Sequence, residues 1–341
     1  MINFSNEEDL YESRSKFLES LVIRKVQGDR LIKKTAIRED LFLLLRYSCY
    51  VYIVSCLNHN KFTYEVSNNF DEFILKNAAK ITQMANVTPN GVIRPKFETF
   101  AEFNLIQKYL NLILNDLGIF HKVQKIRAPI SIRVVTSQDD PSILERPRAN
   151  NRLHSDFWTG AVCDFAVLIP IFGSLDTIDV VFCEPQGVSA NYLKEYPNYA
   201  DGVKTFDSYK EYKTVMEIGN LYLQDIFCLH GTRRRGVGAR VSIDFTFQSN
   251  DYESTIKPYY SSKAIQSDNH LDVSTWKKIG YENMFFDSEK IEDAENNPSY
   301  TLTSLEAKMG SAIKLQTSKT AKMINLNTAE EIINFESNNA V

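Results

Sequence analysis

Residues 219–232 read GNLYLQDIFCLHGT, and this stretch decides the fold class. Its apolar residues form two short runs, 221–223 and 226–229, which the polar pair Gln224-Asp225 separates. Short apolar runs divided by turn-forming residues are typical of strands in an antiparallel sheet. The sequence therefore predicts a strand, a turn at Asp225 and a second strand that ends on His230.

Similar β-like runs lie on both sides of this stretch. Residues 130–135 and 240–248 alternate with a period of two, and residues 161–172 and 177–183 are apolar. The pattern predicts an antiparallel sandwich or barrel over residues 128–250. A polar insertion at 184–217 interrupts it and carries several aromatic residues. These fit either a lid over a site or a long loop that packs against the rest of the protein.

Helical patterns dominate the region before these strands, residues 1–127. Amphipathic spacing predicts helices over 7–25, 69–84 and 100–117, together with a more buried helix over 40–57, and we expect the region to pack on the core. Polar residues interrupt the apolar stretch at 41–57, so it is not expected to span a membrane.

The C-terminal region, residues 251–341, is polar. Its helical periodicity is weak and lies near 304–315 and 328–335. We expect a partly helical extension, with disorder as one interpretation of its tail.

Composition narrows the class of protein. The 39 basic and 43 acidic residues give a net charge of −4, which offers no electrostatic reason to expect a nucleic acid or a membrane as partner. Five scattered cysteines without a C-x-x-C pair argue against a disulfide framework and a thiolate zinc site. The N-terminus lacks a signal-peptide pattern. We expect a soluble, cytoplasmic protein that binds a small molecule, with helical flanks available as interfaces for a homo-oligomer.

A second histidine motif, His154-Ser155-Asp156, precedes most of the predicted strands. Residues i and i+2 of a strand face the same side, so His154 and Asp156 would point at one ion. Together with His230 they offer two imidazoles and one carboxylate, a ligand set that leaves three octahedral positions open and suits Fe(II). By itself His-x-Asp is a short pattern, and a surface histidine near a solvated aspartate explains it better than a metal site does.

A third motif strengthens the interpretation as a metal site. Arg240-Val241-Ser242 begins an alternating strand ten residues after His230. Arginine binds a carboxylate through two charge-assisted hydrogen bonds, and Ser242 would share its face of the strand. Three further arginines at 233–235 are rivals for this role, but Arg240 has the better strand context.

These motifs resemble the Fe(II)/2-oxoglutarate-dependent dioxygenase superfamily, and look most like its phytanoyl-CoA dioxygenase branch. The resemblance rests on residues 154–156, 219–232 and 240–242 and covers about 133–248. It implies a double-stranded β-helix, or jelly-roll, core within an α+β fold. It also implies hydroxylation of an unactivated C–H bond in a small or medium polar metabolite of natural-product or carbohydrate type, with O₂ and 2-oxoglutarate as co-substrates.

The resemblance assigns roles to individual residues. By this likeness, iron is bound by His154, Asp156 and His230. The distal carboxylate of 2-oxoglutarate would pair with Arg240, while Thr232 and Ser242 are weaker candidates for hydrogen bonds to it.

Candidate substrate-binding residues lie close to the metal motif: Arg133, Arg152, Trp158 and Asp164. The two arginines fit structural or surface cations equally well, and a tryptophan is more often part of a core.

Two other classes of protein fit part of the pattern. A cupin-like, non-oxidative metalloenzyme, such as an isomerase or hydrolase, would bind a metal but has no use for a clamp at Arg240. A non-catalytic β-sandwich binding module would carry His-x-Asp by accident. That alternative predicts that the three ligands do not converge.

Overall fold

Helices and antiparallel strands form a mixed α+β fold in this computed structural model. The structure describes residues 6–137, 146–160, 162–259, 270–281, 283–285, 291–293, 314–317 and 320–323. The helices are α1 (Glu7–Ser20), α2 (Glu39–His59), α3 (Phe70–Thr82), α4 (Phe100–Asp116), α5 (Tyr199–Gly202), α6 (Tyr252–Thr255) and α7 (Val273–Trp276). The strands are β1 (Ile32–Ala36), β2 (Val92–Ile93), β3 (Val123–Arg127), β4 (Ser131–Thr136), β5 (Phe165–Gly173), β6 (Ile178–Gln186), β7 (Ser208–Glu211), β8 (Asn220–Asp225), β9 (Leu229–Arg234), β10 (Ala239–Ser249), β11 (His270–Asp272), β12 (Asn283–Phe285), β13 (Ile291–Asp293), β14 (Lys314–Thr317) and β15 (Thr320–Met323).

The four long helices lie where the sequence predicts them. Asn6 and Asn69 begin α1 and α3, because each side chain accepts a hydrogen bond from a backbone N–H of the first turn. Helix α1 ends at Ser20, before the predicted end at residue 25. Leu21 and Val22 are nevertheless buried in the core, so packing after the helix explains the apolar pattern there.

Helix α2 is apolar on nearly every side. By length and composition it could cross a membrane, but 72% of its most apolar window is buried inside the fold. It packs against α4, and Cys49, Ile53 and Leu57 are fully buried. This burial is what a core helix shows.

Two antiparallel sheets position the site, and neither closes within the described residues. The larger sheet has the order β1-β8-β5-β10-β3-β11, and β4 pairs with β10 beside β3. The smaller sheet has the order β7-β6-β9. His154 forms a bridge with His230 and so extends the free edge of β9.

The N-terminal region is less helical than the sequence predicts. Strand β1 pairs with β8, and β3 pairs with the second half of β10. The strands were missed because β2 has only 2 residues and because burial along β1 and β3 does not alternate with a period of two.

The start of the C-terminal extension belongs to the core. Strand β11 pairs with β3, and the fully buried Trp276 packs against Phe120 and Phe245. The predicted helical segments lie almost wholly outside the described residues. In the part near 315 that is described, β14 pairs with β15, so residues 314–315 are in a strand and not a helix.

The insertion at 184–217 is largely a long loop that packs against the rest of the protein. Its first residues continue β6, and β7 pairs with that strand. Tyr192 and Phe206 pack around Trp158 in an aromatic cluster. All five cysteines lie in the described part of the chain, where they are buried and form no disulfide bond.

Candidate metal centre

His230 stands at the beginning of β9 and not at the end of a strand, as predicted, because residues 226–228 form the turn and β9 runs from Leu229 to Arg234. Asp225 makes this turn: its carboxylate accepts a hydrogen bond from the Phe227 N–H, and its carbonyl accepts one from Cys228. An aspartate that bonds to the backbone two residues later is a common turn former. The turn fixes where β9 begins and therefore where His230 lies.

His154 and Asp156 converge by a different route from the predicted one. His154 exchanges two backbone hydrogen bonds with His230, of 2.9 and 2.8 Å. The chain then leaves the strand, and Asp156 begins a 3-10 helix that Ser155 caps. The prediction that His154 and Asp156 share one strand face is therefore wrong. A tight turn after the bridge brings the carboxylate back to the imidazoles.

The three side chains form a group that could hold a metal ion. One ligand atom from each of His154, Asp156 and His230 lies within 4.8 Å of the others. Nε2 of His230 is 3.5 Å from Oδ1 of Asp156, and the two imidazole centroids are 4.3 Å apart. These distances leave room for one ion between the three ligands.

Neighbouring groups orient both imidazoles. Nδ1 of His154 donates to the Arg152 carbonyl over 2.7 Å, which leaves Nε2 as the ligand atom. Burial, and the positive charge of His230 when protonated, hold the pKa of His154 well below its ordinary value, so this ring stays neutral. Tyr199 stacks on His154 with centroids 4.3 Å apart.

Gln224 is the corresponding neighbour of His230. Its amide nitrogen lies 2.9 Å from Nδ1 of His230 and 3.5 Å from Oδ2 of Asp156. A half-turn of the amide would put its oxygen at Nδ1, where it accepts the ring N–H and leaves Nε2 for a metal. Gln224 thus contacts two of the three ligands.

Arg240 is buried at the wall of the same cavity, with only 2% of its surface exposed. Its guanidinium makes long contacts to Thr232 Oγ1 (3.5 Å) and Met216 Sδ (3.8 Å), and its Nε has no partner. The buried Oγ of Ser242 also has no partner. Burial and the charge of Arg133 lower the pKa of Arg240 to about 10, so the side chain remains a cation at neutral pH.

A β-bulge places Arg240 and Ser242 at the cavity. The register of β10 against β5 shifts between Val241 and Ser242, where Ser242 faces Pro170. Bulges re-aim side chains next to sites. Gly173 faces Arg240 at a φ of 111°, and a Cβ there would lie 1.8 Å from the Ala239 carbonyl oxygen, so only glycine fits.

The cavity has a volume of about 750 Å³, which suits a small molecule. Its described lining includes the three ligands with Thr232, Arg240 and Ser242. Candidate metal ligands and candidate anion-binding residues therefore open on one space.

The arginines at 233–235 are engaged in structural contacts. Arg233 and Arg235 pair with Asp179, and Arg234 donates to the Thr136 carbonyl. None is among the described residues that line the cavity. They are therefore weaker candidates for an anion than Arg240.

The predicted substrate residues differ in their positions. Arg133 lines the cavity, but Asp244 holds its guanidinium through two hydrogen bonds of 2.8 and 2.9 Å. Arg152, Trp158 and Asp164 are not among the lining residues that the structure describes.

Each of these three residues makes contacts elsewhere in the protein. Arg152 orients His154 through its carbonyl, as described above. Trp158 is fully buried and donates to the Tyr192 carbonyl. Asp164 is fully buried and accepts hydrogen bonds from Ser249. The structure therefore does not bring Trp158 or Asp164 to the described wall of the cavity.

Sequence reasoning missed several residues of the cavity, namely Asn90, Arg146, Tyr199 and Gln224. Tyr199 was noticed only as one aromatic of the insertion. Gln224 directly precedes the turn residue Asp225, but nothing in the sequence pairs it with His230.

No protein-family model matches the chain, and no curated protein matches its sequence. The function is therefore argued from the site.

Proposed function

We propose that this protein is an Fe(II)- and 2-oxoglutarate-dependent oxygenase that hydroxylates a C–H bond of a small or medium polar metabolite. One observation carries the proposal. The group His154, Asp156 and His230 opens on the same cavity as Arg240 and Ser242, each of which has one buried polar atom without a partner. A metal beside a buried cation is the arrangement that a chelating oxo-acid with a second carboxylate requires.

The strand order supports a jelly-roll core as part of this proposal. In chain order, eight segments make up the core: β4, the His154 bridge, β5, β6, β7, β8, β9 and β10. In the larger sheet the neighbours are β4, β10, β5 and β8, which are the first, eighth, third and sixth of these segments. In the smaller sheet they are the His154 bridge, β9, β6 and β7, which are the second, seventh, fourth and fifth. A jelly roll pairs its eight strands in this alternating way across two sheets.

The ligand chemistry fits iron. Two neutral imidazoles and one carboxylate leave three positions of an octahedral ion open. Bound iron and 2-oxoglutarate would supply O₂ activation and C–H oxidation, with succinate and CO₂ as co-products. His154, Asp156 and His230 would hold the metal on one side, so that the open positions face the cavity.

Arg240 would hold the far carboxylate of the co-substrate. Its unpartnered Nε and the unpartnered Oγ of Ser242 would gain the hydrogen bonds that they now lack. Thr232, which already contacts Arg240, would keep the guanidinium in place. Tyr199 covers one face of His154 and would help to exclude water from the metal.

The two alternatives explain less. A binding module predicts that the three ligands are apart, whereas their atoms lie within 4.8 Å. A cupin-like isomerase or hydrolase would use the metal group but leaves the burial of Arg240 without a reason. The oxygenase accounts for both.

The test is succinate release from 2-oxoglutarate without added substrate. Fe(II), ascorbate and air are supplied, and parallel reactions omit iron or oxygen. We expect slow succinate formation that needs both and that falls to background in His154→Ala. The matched control is His59→Ala, because His59 is an exposed histidine that pairs with Glu98 outside the cavity.

The absence of succinate, together with the absence of Fe(II)-dependent binding of 2-oxoglutarate, would contradict the proposal. A correctly folded His154→Ala that retains wild-type activity would also do so.

A further inference from the structure

Among the described residues of the cavity wall, arginines outnumber acidic residues. Among its described lining residues are two aspartates, Asp156 and Asp244, and six arginines. The arginines are Arg94, Arg127, Arg133, Arg146, Arg148 and Arg240. An excess of positive charge in a partly enclosed space favours a negatively charged occupant.

Three of these arginines already have a role. Arg133 is neutralised by Asp244. Arg148 pairs with Glu195 at 3.0 Å. Arg240 is the proposed partner of the co-substrate. The remaining positive charge belongs to the other three arginines.

Arg146 has the least satisfied guanidinium of the described residues. All three of its nitrogen atoms are buried, and none has a hydrogen-bond partner. The buried Oδ1 of Asn90, on the same cavity wall, also lacks a partner. Buried polar atoms are nearly always satisfied, and an unpaired buried cation is especially costly. A ligand that brings an oxyanion and a hydroxyl would satisfy both residues.

The backbone around Arg146 is tied to the metal group. The carbonyl of Pro147, the next residue, accepts a hydrogen bond from the Tyr199 N–H over 3.0 Å. Tyr199 in turn stacks on His154. The carbonyl of Asn150, farther along the loop, accepts a hydrogen bond from β9. These contacts hold the loop beside the metal group.

From these contacts we infer that Arg146 binds an oxyanion of the substrate, so that the substrate class is a metabolite carrying a phosphate or carboxylate group. Arg127, half-buried, and Arg94, exposed, add positive charge to the same cavity. The inference rests on the proposed function for the reaction of that substrate. The binding subsite itself can be measured without iron.

The experiment is a calorimetric titration of the metal-free protein with inorganic phosphate and, separately, with acetate. We expect saturable binding of at least one anion, weakened on the order of tenfold or more by Arg146→Met. Arg146→Lys should retain part of the affinity, since it keeps the charge. Tighter binding of phosphate than of acetate would assign a phosphate group, and the reverse order a carboxylate.

Two control variants test whether anion binding occurs at Arg146 and not at a surface arginine or at the co-substrate site. Arg38→Met removes an exposed arginine that pairs with Asp40 outside the cavity, and it should change the affinity less than about twofold. Arg240→Met removes any anion site at Arg240 itself, so the part of phosphate or acetate binding that depends on Arg146 should persist in this variant, and 2-oxoglutarate bound at Arg240 should not compete with that part.

Three results would overturn the inference. They are the absence of saturable anion binding, equal affinity in a folded Arg146→Met, and loss of anion binding in Arg240→Met with full competition by 2-oxoglutarate. Because no iron or turnover is involved, these results are distinct from a failure of the succinate test.

Discussion

The two ends of strand β10 bury polar groups in opposite ways. At the C-terminal end, Ser249 donates through its backbone N–H and its hydroxyl to the carboxylate of Asp164. Arg14 binds the Asp164 carbonyl and the Asp225 carboxylate. At the N-terminal end, Arg240 and Ser242 are equally buried, but Nε of the arginine and Oγ of the serine have no partner.

This difference separates a structural network from a binding site. Burial of polar groups costs free energy unless their hydrogen bonds are made. The satisfied end ties helix α1 to the sheet. The unsatisfied end carries a cost that a bound carboxylate would offset, which is why the proposed co-substrate site lies there.

The largest effect is expected at the satisfied end. Arg14→Met leaves the Asp225 carboxylate buried without its cation, and we expect a loss of about 3 kcal/mol or more in the free energy of unfolding. Urea denaturation measures it. A loss below about 1 kcal/mol would mean that the network contributes little.

The matching change at the unsatisfied end should act on binding. Arg240→Met removes a buried cation that has weak contacts, so the ligand-free protein should be as stable as wild type or more stable. Its affinity for 2-oxoglutarate should fall about 100-fold, the loss expected for a charge-assisted pair. Urea denaturation and calorimetry check the two parts. A variant that is strongly destabilised and binds 2-oxoglutarate normally would reverse the comparison.

A smaller effect, on metal affinity, is expected for Gln224, which contacts two of the proposed metal ligands. Gln224→Ala should weaken metal affinity about 10- to 100-fold, as is usual when the partner of a metal-bound histidine is removed. A titration with Mn(II) followed by magnetic resonance would measure it. Unchanged affinity would show that His230 is oriented by the backbone alone.

An effect of similar size is a pH dependence at the satisfied end. Burial raises the pKa of Asp164 from 3.8 to about 6. Between about pH 4 and pH 6 the unfolded chain therefore loses this proton before the folded chain does, so the stability of the wild type falls as the pH rises through that window.

Asp164→Asn removes this ionisation. We therefore expect the free energy of unfolding of the variant, relative to that of wild type, to be about 2 kcal/mol higher at pH 7 than at pH 4. Urea denaturation at both pH values tests it. A difference independent of pH would show that the carboxyl is not harder to ionise in the folded protein.

Part of the fold could be predicted from local patterns in the sequence. Local patterns located the long helices, the strand before Asp225 and the turn at Asp225. Each depends on the spacing of a few neighbouring residues. The convergence of His154 with Asp156 was predicted from a strand, although a turn produces it.

Contacts between distant segments could not be predicted. Asp164 and Trp158 lie near the metal motif in sequence, but their partners, Ser249 and Tyr192, are far along the chain. Likewise, β1 forms a strand because β8 provides its partner. The unpartnered state of Arg146 becomes evident only when the surrounding side chains are in place.

The most direct test is anomalous diffraction at the iron edge, from crystals grown without oxygen in Fe(II) and 2-oxoglutarate. We predict one iron bound by His154, Asp156 and His230, with the far carboxylate of 2-oxoglutarate on Arg240 and Ser242. Iron at another position, or 2-oxoglutarate held away from Arg240 beside a correctly bound iron, would contradict it.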